Sequence, residues 1–386
     1  MRVLHTVTLH SPTHAFGGPV RVALNLSRGL RERGHEARIV ALGDGFGGRL
    51  PTEVEGVPAR LFQARRMLPL GFSGITSPAL VAAAGRLVRD ADLVHVHLAR
   101  DLVTLPVALA ALRAGKPLVL QTHGMVDPSD RLLAKVLDAL AVRRVLRRAS
   151  AVLYLTDHER RGLEAVAPTG PGSPLHLVRL VNGVPAQEAG PTPSGPPRVL
   201  YAARLQARKR PQDFVAAVPE ILRHHPDAEF VVAGPDEGEL ASVQALISSL
   251  GLGERVHCPG SLSAGEMLAE LQHAHVYVLP SVDEPFPMSV LEALAAGTPA
   301  VVTHSNGLAR DIAGAGAGRV VGGAAELAAG VLELLDPGAN EAASAAARKL
   351  AAEAFSMDAV LDTLIAVYEG CASGVTRAPR RSSRKT

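Results

Sequence analysis

Short apolar runs alternate with stretches of helical period from residue 2 onward, the pattern of a parallel sheet covered by helices on both faces. Val3–Thr8, Ala37–Leu42, Leu93–Leu98, Leu118–Thr122 and Ala151–Leu155 read as strands, with Pro19–Arg33 and Thr104–Arg113 among the helices between them. The alternation breaks after Val184, where PAQEAGPTPSGPP is dense in proline and glycine without apolar period, the mark of a linker. It then restarts. Arg198–Ala202, Glu229–Ala233, Arg255–Cys258, His275–Leu279, Pro299–Thr303 and Arg319–Val321 read as strands, and Gln212–His224, Leu240–Leu250 and Met288–Ala296 as helices. Asp358–Tyr368 predicts a closing amphipathic helix.

The class is therefore α/β, with two doubly wound, Rossmann-like domains facing a central cleft, a preferred place for ligands. The predicted boundaries are 1–185 for the first domain, 186–197 for the linker and 198–355 for the second domain. Residues 356–370 form a helix expected to pack back toward the first domain, and 371–386 a disordered basic tail.

Composition narrows the function. Hydrophobic residues make up 47% of the 386, enough for two cores, while aromatic residues are 3% and Trp is absent, so base-stacking platforms are lacking. The formal charge is +3, but Arg377, Arg380, Arg381, Arg384 and Lys385 lie in the tail, and taking those five charges from +3 leaves −2 for the rest. A nucleic-acid partner is disfavoured, since duplex binding needs a basic face. The tail reads as a solvated end or an anchor to anionic lipid. Cys258 and Cys371 stand far apart with no metal-ligand pattern, so neither a disulfide framework nor a zinc site is expected. The opening MRVLHTVTLH is no export signal, and no apolar run approaches the roughly 20 residues that span a bilayer. A cytoplasmic protein is expected, with peripheral contact on the inner membrane face left open.

The most informative stretch is PSVDEPFPMSVLEALAAGTP, Pro280 to Pro299. Pro285 and Pro287 hold their surroundings out of helix, and Gly297 ends the helix that follows. Glu284 thus stands beyond the carboxyl end of a strand, where ligands of open α/β sheets bind, and Glu292 lies inside the helix. Eight residues of helix would rise roughly 12 Å, whereas glycosidase carboxylates stand about 5 to 9.5 Å apart, so a hydrolase dyad is disfavoured. The spacing suits two carboxylates holding separate hydroxyls of one elongated polar ligand. The plain alternative is a loop carboxylate and a solvated helix glutamate.

Other candidates follow strands too. The loop after Val3–Thr8 ends in Gly17, Gly18 and Pro19, where amides approach an anion at a helix end. A simple turn is the alternative, and G-x-G-x-x-G spacing is missing, which disfavours a dinucleotide-binding dehydrogenase. Arg204, Lys209 and Arg210 follow Arg198–Ala202, and with only five lysines in the chain this density suits a diphosphate, against a merely solvated loop. His123 closes LVLQTHG beside Gly124 and is placed at the ligand site. His95 and His97 share a strand face, and core or rim histidines are preferred there over a metal pair. Arg131 to Arg148 surround apolar residues with six cations. Complementing the helix dipole is preferred there over lying on a membrane, because Arg144 interrupts the apolar stripe.

Together these elements resemble glycosyltransferase family 4, retaining enzymes of the GT-B fold, over nearly the whole chain. The specific part is Glu, seven residues, then Glu at Glu284 and Glu292, followed by EALAAGTPAVVT. GGPVRVALNLSRGLRERGHE, the Gly124 loop, Asn182-Gly183-Val184, Arg204, Lys209 and AGPDEGEL from Ala233 also fit. The resemblance implies that Arg204 and Lys209 bind the donor diphosphate and that Glu292 holds the nucleotide ribose. It implies that Glu284 holds donor-sugar hydroxyls with Phe286, Met288 and Ser289 nearby, and that His123 is close to the transferring sugar. Gly17 and Gly18 would serve the phosphate and acceptor.

No metal or other cofactor is expected. The implied reaction moves a hexose from a UDP- or GDP-sugar to a hydroxyl of a lipid-linked glycan, a polysaccharide or a metabolite, by same-face displacement. Ala203, Arg210 and Pro287 depart from the glycines common at those positions and leave the donor sugar open. Two alternatives are a GT-B sugar-nucleotide epimerase and a non-catalytic two-domain sugar-binding protein.

Overall fold

The computed structural model describes residues 1–12, 17–67, 74–168, 175–185, 187 and 195–374. It divides into two units, the first made of residues 1–183 and the chain from Met357 on, the second of Val184–Ser356.

Among the described residues, ten strands belong to the first unit: β1 (Arg2–His10), β2 (Glu36–Gly43), β3 (Glu53–Val54), β4 (Val57–Gln63), β5 (Arg65–Arg66), β6 (Ile75–Thr76), β7 (Leu93–His97), β8 (Leu118–Gln121), β9 (Ala151–Tyr154) and β10 (Leu177–Arg179). Eight of them form one sheet in the order β10-β9-β8-β7-β1-β2-β4-β3, parallel except for the β3–β4 pair. Parallel strands need crossover connections, which α1 (Gly17–Glu32), α2 (Pro78–Arg89), α3 (Thr104–Arg113), α4 (Leu132–Leu137), α5 (Arg143–Arg148) and α6 (Asp157–Val166) supply. A π turn at Asp138–Val142 joins α4 to α5.

Because side chains alternate along a strand, the central strands feed two cores. Leu4, Val94 and Val96 pack with Leu80, Leu87 and Val107 of α2 and α3 on one face, while Val7, Ile39 and Ala41 pack with Ala23 and Leu24 of α1 on the other.

The second unit holds β11 (Arg198–Ala202), β12 (Glu229–Ala233), β13 (Val256–Gly260), β14 (Val276–Leu279), β15 (Ala300–Thr303) and β16 (Gly318–Val321). Its sheet runs β13-β12-β11-β14-β15-β16, parallel throughout. Its helices are α7 (Pro211–His224), α8 (Leu240–Ser249), α9 (Ala264–His273), α10 (Met288–Ala296), α11 (Ala309–Ala315), α12 (Ala324–Leu335) and α13 (Pro337–Ala354). α10 stops where Gly297 turns left-handed at φ 89°, a conformation glycine adopts without a Cβ penalty.

The chain then re-enters the first unit as α14 (Met357–Ala372), where Arg33, just past the end of α1, bonds Asp358 at 2.9 Å and Asp362 at 2.6 Å. Tyr368 on α14 is fully buried, and its hydroxyl meets Nδ1 of His95 at 2.6 Å.

Two predicted boundaries need correction. α1 starts at Gly17, so both glycines lie in its first turn and not in the preceding loop. α14 continues past residue 370 to Ala372, so Cys371 is helical where disorder was expected, half-buried about one turn beyond Tyr368. Linker residues 186 and 188–194 and the basic tail from 375 lie outside the described residues.

Replacing Tyr368 by Phe leaves the buried His95 nitrogen without a partner and should cost about 1–3 kcal/mol. Urea unfolding should show a lower midpoint at unchanged slope. An unchanged midpoint would mean that the contact contributes nothing.

Candidate active site

In the second sheet the strand order reverses between β11 and β14, which are paired through Val199 with Val276 and Leu200 with Tyr277. The connection leaving β11 turns one way and that leaving β14 the other, so a crevice opens beyond their carboxyl ends. Arg204 and Lys209 follow β11; Glu284, Phe286, Met288, Ser289 and Glu292 follow β14. The topology thus brings the seven predicted residues of this unit to one edge of the sheet.

The closest contact there is an ion pair between Lys209 Nζ and Glu284 Oε2, with both residues less than a tenth exposed. Burial pushes the Lys209 ammonium below its ordinary value, and the Glu284 carboxylate pulls it partly back. Neither charge would be tolerated there alone. A 3-10 turn at Ala207–Lys209 and a left-handed Arg210 (φ 53°) aim the lysine, while Pro211 opens α7. On the other side, left-handed Asp283 (φ 50°) turns the chain into Glu284. The two loops are also joined through their backbones, Val282 N donating to Arg208 O at 2.9 Å.

Two glycines permit this close packing. Gly307 N donates to Glu284 O at 2.7 Å, and a Cβ on Gly307 would overlap the Pro285 carbonyl oxygen. A Cβ on Gly234 would overlap the Ala203 carbonyl oxygen beside Arg204, and its φ of 141° disfavours any other residue.

The remaining predicted residues here are placed as follows. Arg204 pairs with Glu237 at 3.0 Å. Phe286 packs edge-on against Phe355 with ring centroids 5.9 Å apart. Met288 begins α10, and Ser289 Oγ meets the hydroxyl of buried Tyr277 at 2.8 Å, which also donates to Ala202 O at 2.7 Å. Glu292 is half-buried on α10.

The first unit carries the other three predicted residues. Gly17 and Gly18 open α1, and Gly18 is exposed. His123 lies two residues beyond β8 in a left-handed conformation (φ 51°), uncommon for a non-glycine residue, and Gly124 after it is left-handed too (φ 73°). Glu159, which sequence reasoning missed, clamps this turn. Its Oε1 accepts from Thr122 Oγ1 at 2.5 Å and Gly124 N at 2.7 Å, and its Oε2 accepts from Leu155 N at 2.6 Å. The available signal was Thr156-x-x-Glu159, which reads as an ordinary capping box. Thr156 does cap α6, but the glutamate is spent on the His123 turn.

His95 and His97 are buried core residues, and with His5 they form a cluster whose donor atoms lie within 4.8 Å of one another. Both nitrogens of His97 already contact histidines, His5 at 3.2 Å and His123 at 2.7 Å. No helix among the described residues is long and apolar enough to cross a membrane.

Comparison with known proteins agrees with this layout. Residues 17–183 match the glycosyl transferase 4-like domain, and residues 186–350 match glycosyl transferases group 1. The D-inositol 3-phosphate glycosyltransferase of Streptomyces scabiei is 28% identical over 342 residues, 80% of this chain and 76% of that one. The 2-deoxystreptamine glucosyltransferase of Streptomyces kanamyceticus is 28% identical over 389 residues, 90% of this chain and 97% of that one. Among solved structures, Anabaena Alr3699/HepE in complex with UDP and glucose superposes with a TM-score of 0.77 at 19% identity, over 96% of this chain and 100% of that one. With a matching domain in each half and the fold to go with them, the chain belongs to the family 4 glycosyltransferases and is a hexosyltransferase of the GT-B fold.

Proposed function

We propose that the enzyme transfers a hexose from a UDP- or GDP-sugar to an acceptor hydroxyl with retention of configuration and without a metal. The observation that carries this reading is the buried Lys209–Glu284 pair at the β11/β14 switch point, with Arg204 beside it. An ammonium has three donors, so Lys209 can keep Glu284 and still reach a phosphate oxygen. Arg204 adds a second cation for the diphosphate, and Glu284 and Glu292 accept hydroxyls of the donor.

As the bond from the anomeric carbon to the diphosphate oxygen breaks, its electron pair goes to that oxygen, where Lys209 and Arg204 stabilise the charge. The acceptor oxygen bonds the same face of the carbon, and its proton passes to the departing phosphate. A covalent glycosyl adduct on Glu284 would contradict this route.

The Anabaena structure with UDP and glucose supports a nucleotide-sugar donor. The Streptomyces relatives named for D-inositol 3-phosphate and 2-deoxystreptamine favour a small polyhydroxylated metabolite as acceptor over a polysaccharide or a lipid-linked glycan.

A peripheral membrane contact belongs to the same proposal. Four of the eight exposed large apolar side chains among the described residues, Leu132, Leu133, Val136 and Leu140, lie between Arg131 and Arg143, with Leu132 78% and Leu140 73% exposed. Apolar residues flanked by Arg131, Arg144 and Arg148 fit an anionic bilayer surface.

Three measurements test these statements. Calorimetry with UDP-glucose and GDP-mannose as probes should show binding of one, weakened about 10- to 100-fold by Arg204→Ala and by Glu292→Ala, as for lost charge-assisted hydrogen bonds. A well-folded protein that binds neither these nor other UDP- and GDP-sugars would sink the donor reading. Lys209→Met alone should destabilise the fold by about 3–5 kcal/mol, and adding Glu284→Leu should recover most of it. Additive losses would show that the pair is not coupled. Vesicles containing phosphatidylglycerol should co-sediment the protein better than phosphatidylcholine vesicles, and Leu132→Ser with Leu140→Ser should abolish the difference; equal recovery from both would remove the membrane contact.

A further inference from the structure

A line of buried imidazoles runs from the middle of the first sheet to His123. His5 on β1 and His97 on β7 lie on the same face, and His5 Nδ1 meets His97 Nε2 at 3.2 Å. His97 Nδ1 meets His123 Nε2 at 2.7 Å, with the ring planes 6° apart, so the in-plane N–H of one ring points along the in-plane lone pair of the other. His5 Nε2 ends the line and is buried with no hydrogen-bond partner. Burial pushes all three rings below the ordinary histidine value, His5 and His123 to about 3, so near neutrality each carries one N–H.

Three neutral rings joined by two contacts allow only two proton arrangements that satisfy both contacts. In one, His5 Nδ1–H donates to His97 Nε2 and His97 Nδ1–H donates to His123 Nε2, which leaves an N–H on His123 Nδ1 and a bare lone pair on His5 Nε2. In the other, every proton sits on the opposite nitrogen. His123 Nδ1 is then a lone pair, and His5 Nε2 carries an N–H that no group accepts. A buried orphan N–H is rarer than an orphan acceptor. The first arrangement is therefore the stable one.

We propose that His97 and His5 are positioning residues that lock His123 as the Nδ1–H tautomer, so that its free edge donates to a ligand oxygen instead of accepting a proton. A ligand that needs His123 as an acceptor must switch the tautomer of all three rings together and leave His5 with an unpaired N–H. The lock thus selects for oxygen acceptors, such as the ring or hydroxyl oxygens of a sugar, at this position. Only this last step, the identity of the ligand, rests on the proposed function.

The test is a long-range proton–nitrogen correlation spectrum of protein labelled with ¹⁵N-histidine, with the His123 signals assigned by their absence in His123→Gln. Wild type should show His123 protonated at Nδ1. His97→Asn keeps a side-chain N–H facing His123 and should preserve that tautomer, while His97→Leu should shift His123 toward Nε2–H. If His97→Leu does not fold, the wild-type spectrum decides alone: His123 protonated at Nε2, or an even mixture, overturns the proposal. A His97→Leu spectrum with unchanged His123 tautomer overturns it as well. UDP-glucose titrated into the same samples separates the two claims, since an Nδ1–H ring in a protein that binds no nucleotide sugar upholds the lock and removes only the donor reading.

Discussion

Parallel pairing is the constraint from which the arrangement of this enzyme follows. A parallel strand cannot be reached by a hairpin, so each connection crosses back over a face of the sheet and the loops leaving the strands collect at one edge. Where the winding direction reverses, two neighbouring loops part and leave room for a ligand. In the second unit this reversal falls between β11 and β14, which is why residues as far apart in the chain as Lys209 and Glu284 meet. In the first sheet the corresponding reversal falls between β1 and β7, the strands that carry His5 and His97.

Burial then decides the chemistry these residues can do. Lysine and glutamate are kept inside only as a pair. The first unit meets the same problem differently. Its polar layer of His5, His95, His97, Gln121 and Asn182 is kept neutral and tied by hydrogen bonds, Gln121 Nε2 donating to Asn182 Oδ1 at 3.2 Å. Neutral groups avoid the cost of a buried charge but retain the cost of every unmatched donor or acceptor. That layer is accordingly sensitive to proton position, whereas the Lys209–Glu284 pair is sensitive to charge.

Much of this was legible in the chain. β11, β12, α3 and α10 follow so directly from apolar period and flanking proline or glycine that their ends were read to the residue. The carboxylate motif placed Glu284 after a strand and Glu292 in a helix, because proline and glycine act locally. What was not legible depends on partners distant in sequence. Nothing near Lys209 announces Glu284, and nothing near Gly307 announces the Pro285 carbonyl that excludes a Cβ there. Nor does anything near Glu159 announce its role, because its three acceptor contacts run to the ends of two strands. β4 is hard to read in the chain because Pro58, Arg60 and Gln63 interrupt the continuous apolar run of a strand covered on both faces, as an edge strand flanked only by the short β3 allows.

The return of α14 to the first unit bears on the order in which the protein is made. Synthesis delivers β1 to β10, then the whole of the second unit, and only afterwards the helix whose Tyr368 closes over His95, 273 residues downstream. The first unit is begun first and completed last. Until α14 emerges, Gly29 of α1 lacks the Leu361 side chain that packs against it, and Arg33 lacks both of its carboxylates. The second unit, continuous in the chain, has no such wait. A nascent chain would therefore carry a finished second unit while the first is still uncapped, and that exposed face of the first sheet is where a chaperone would have reason to bind.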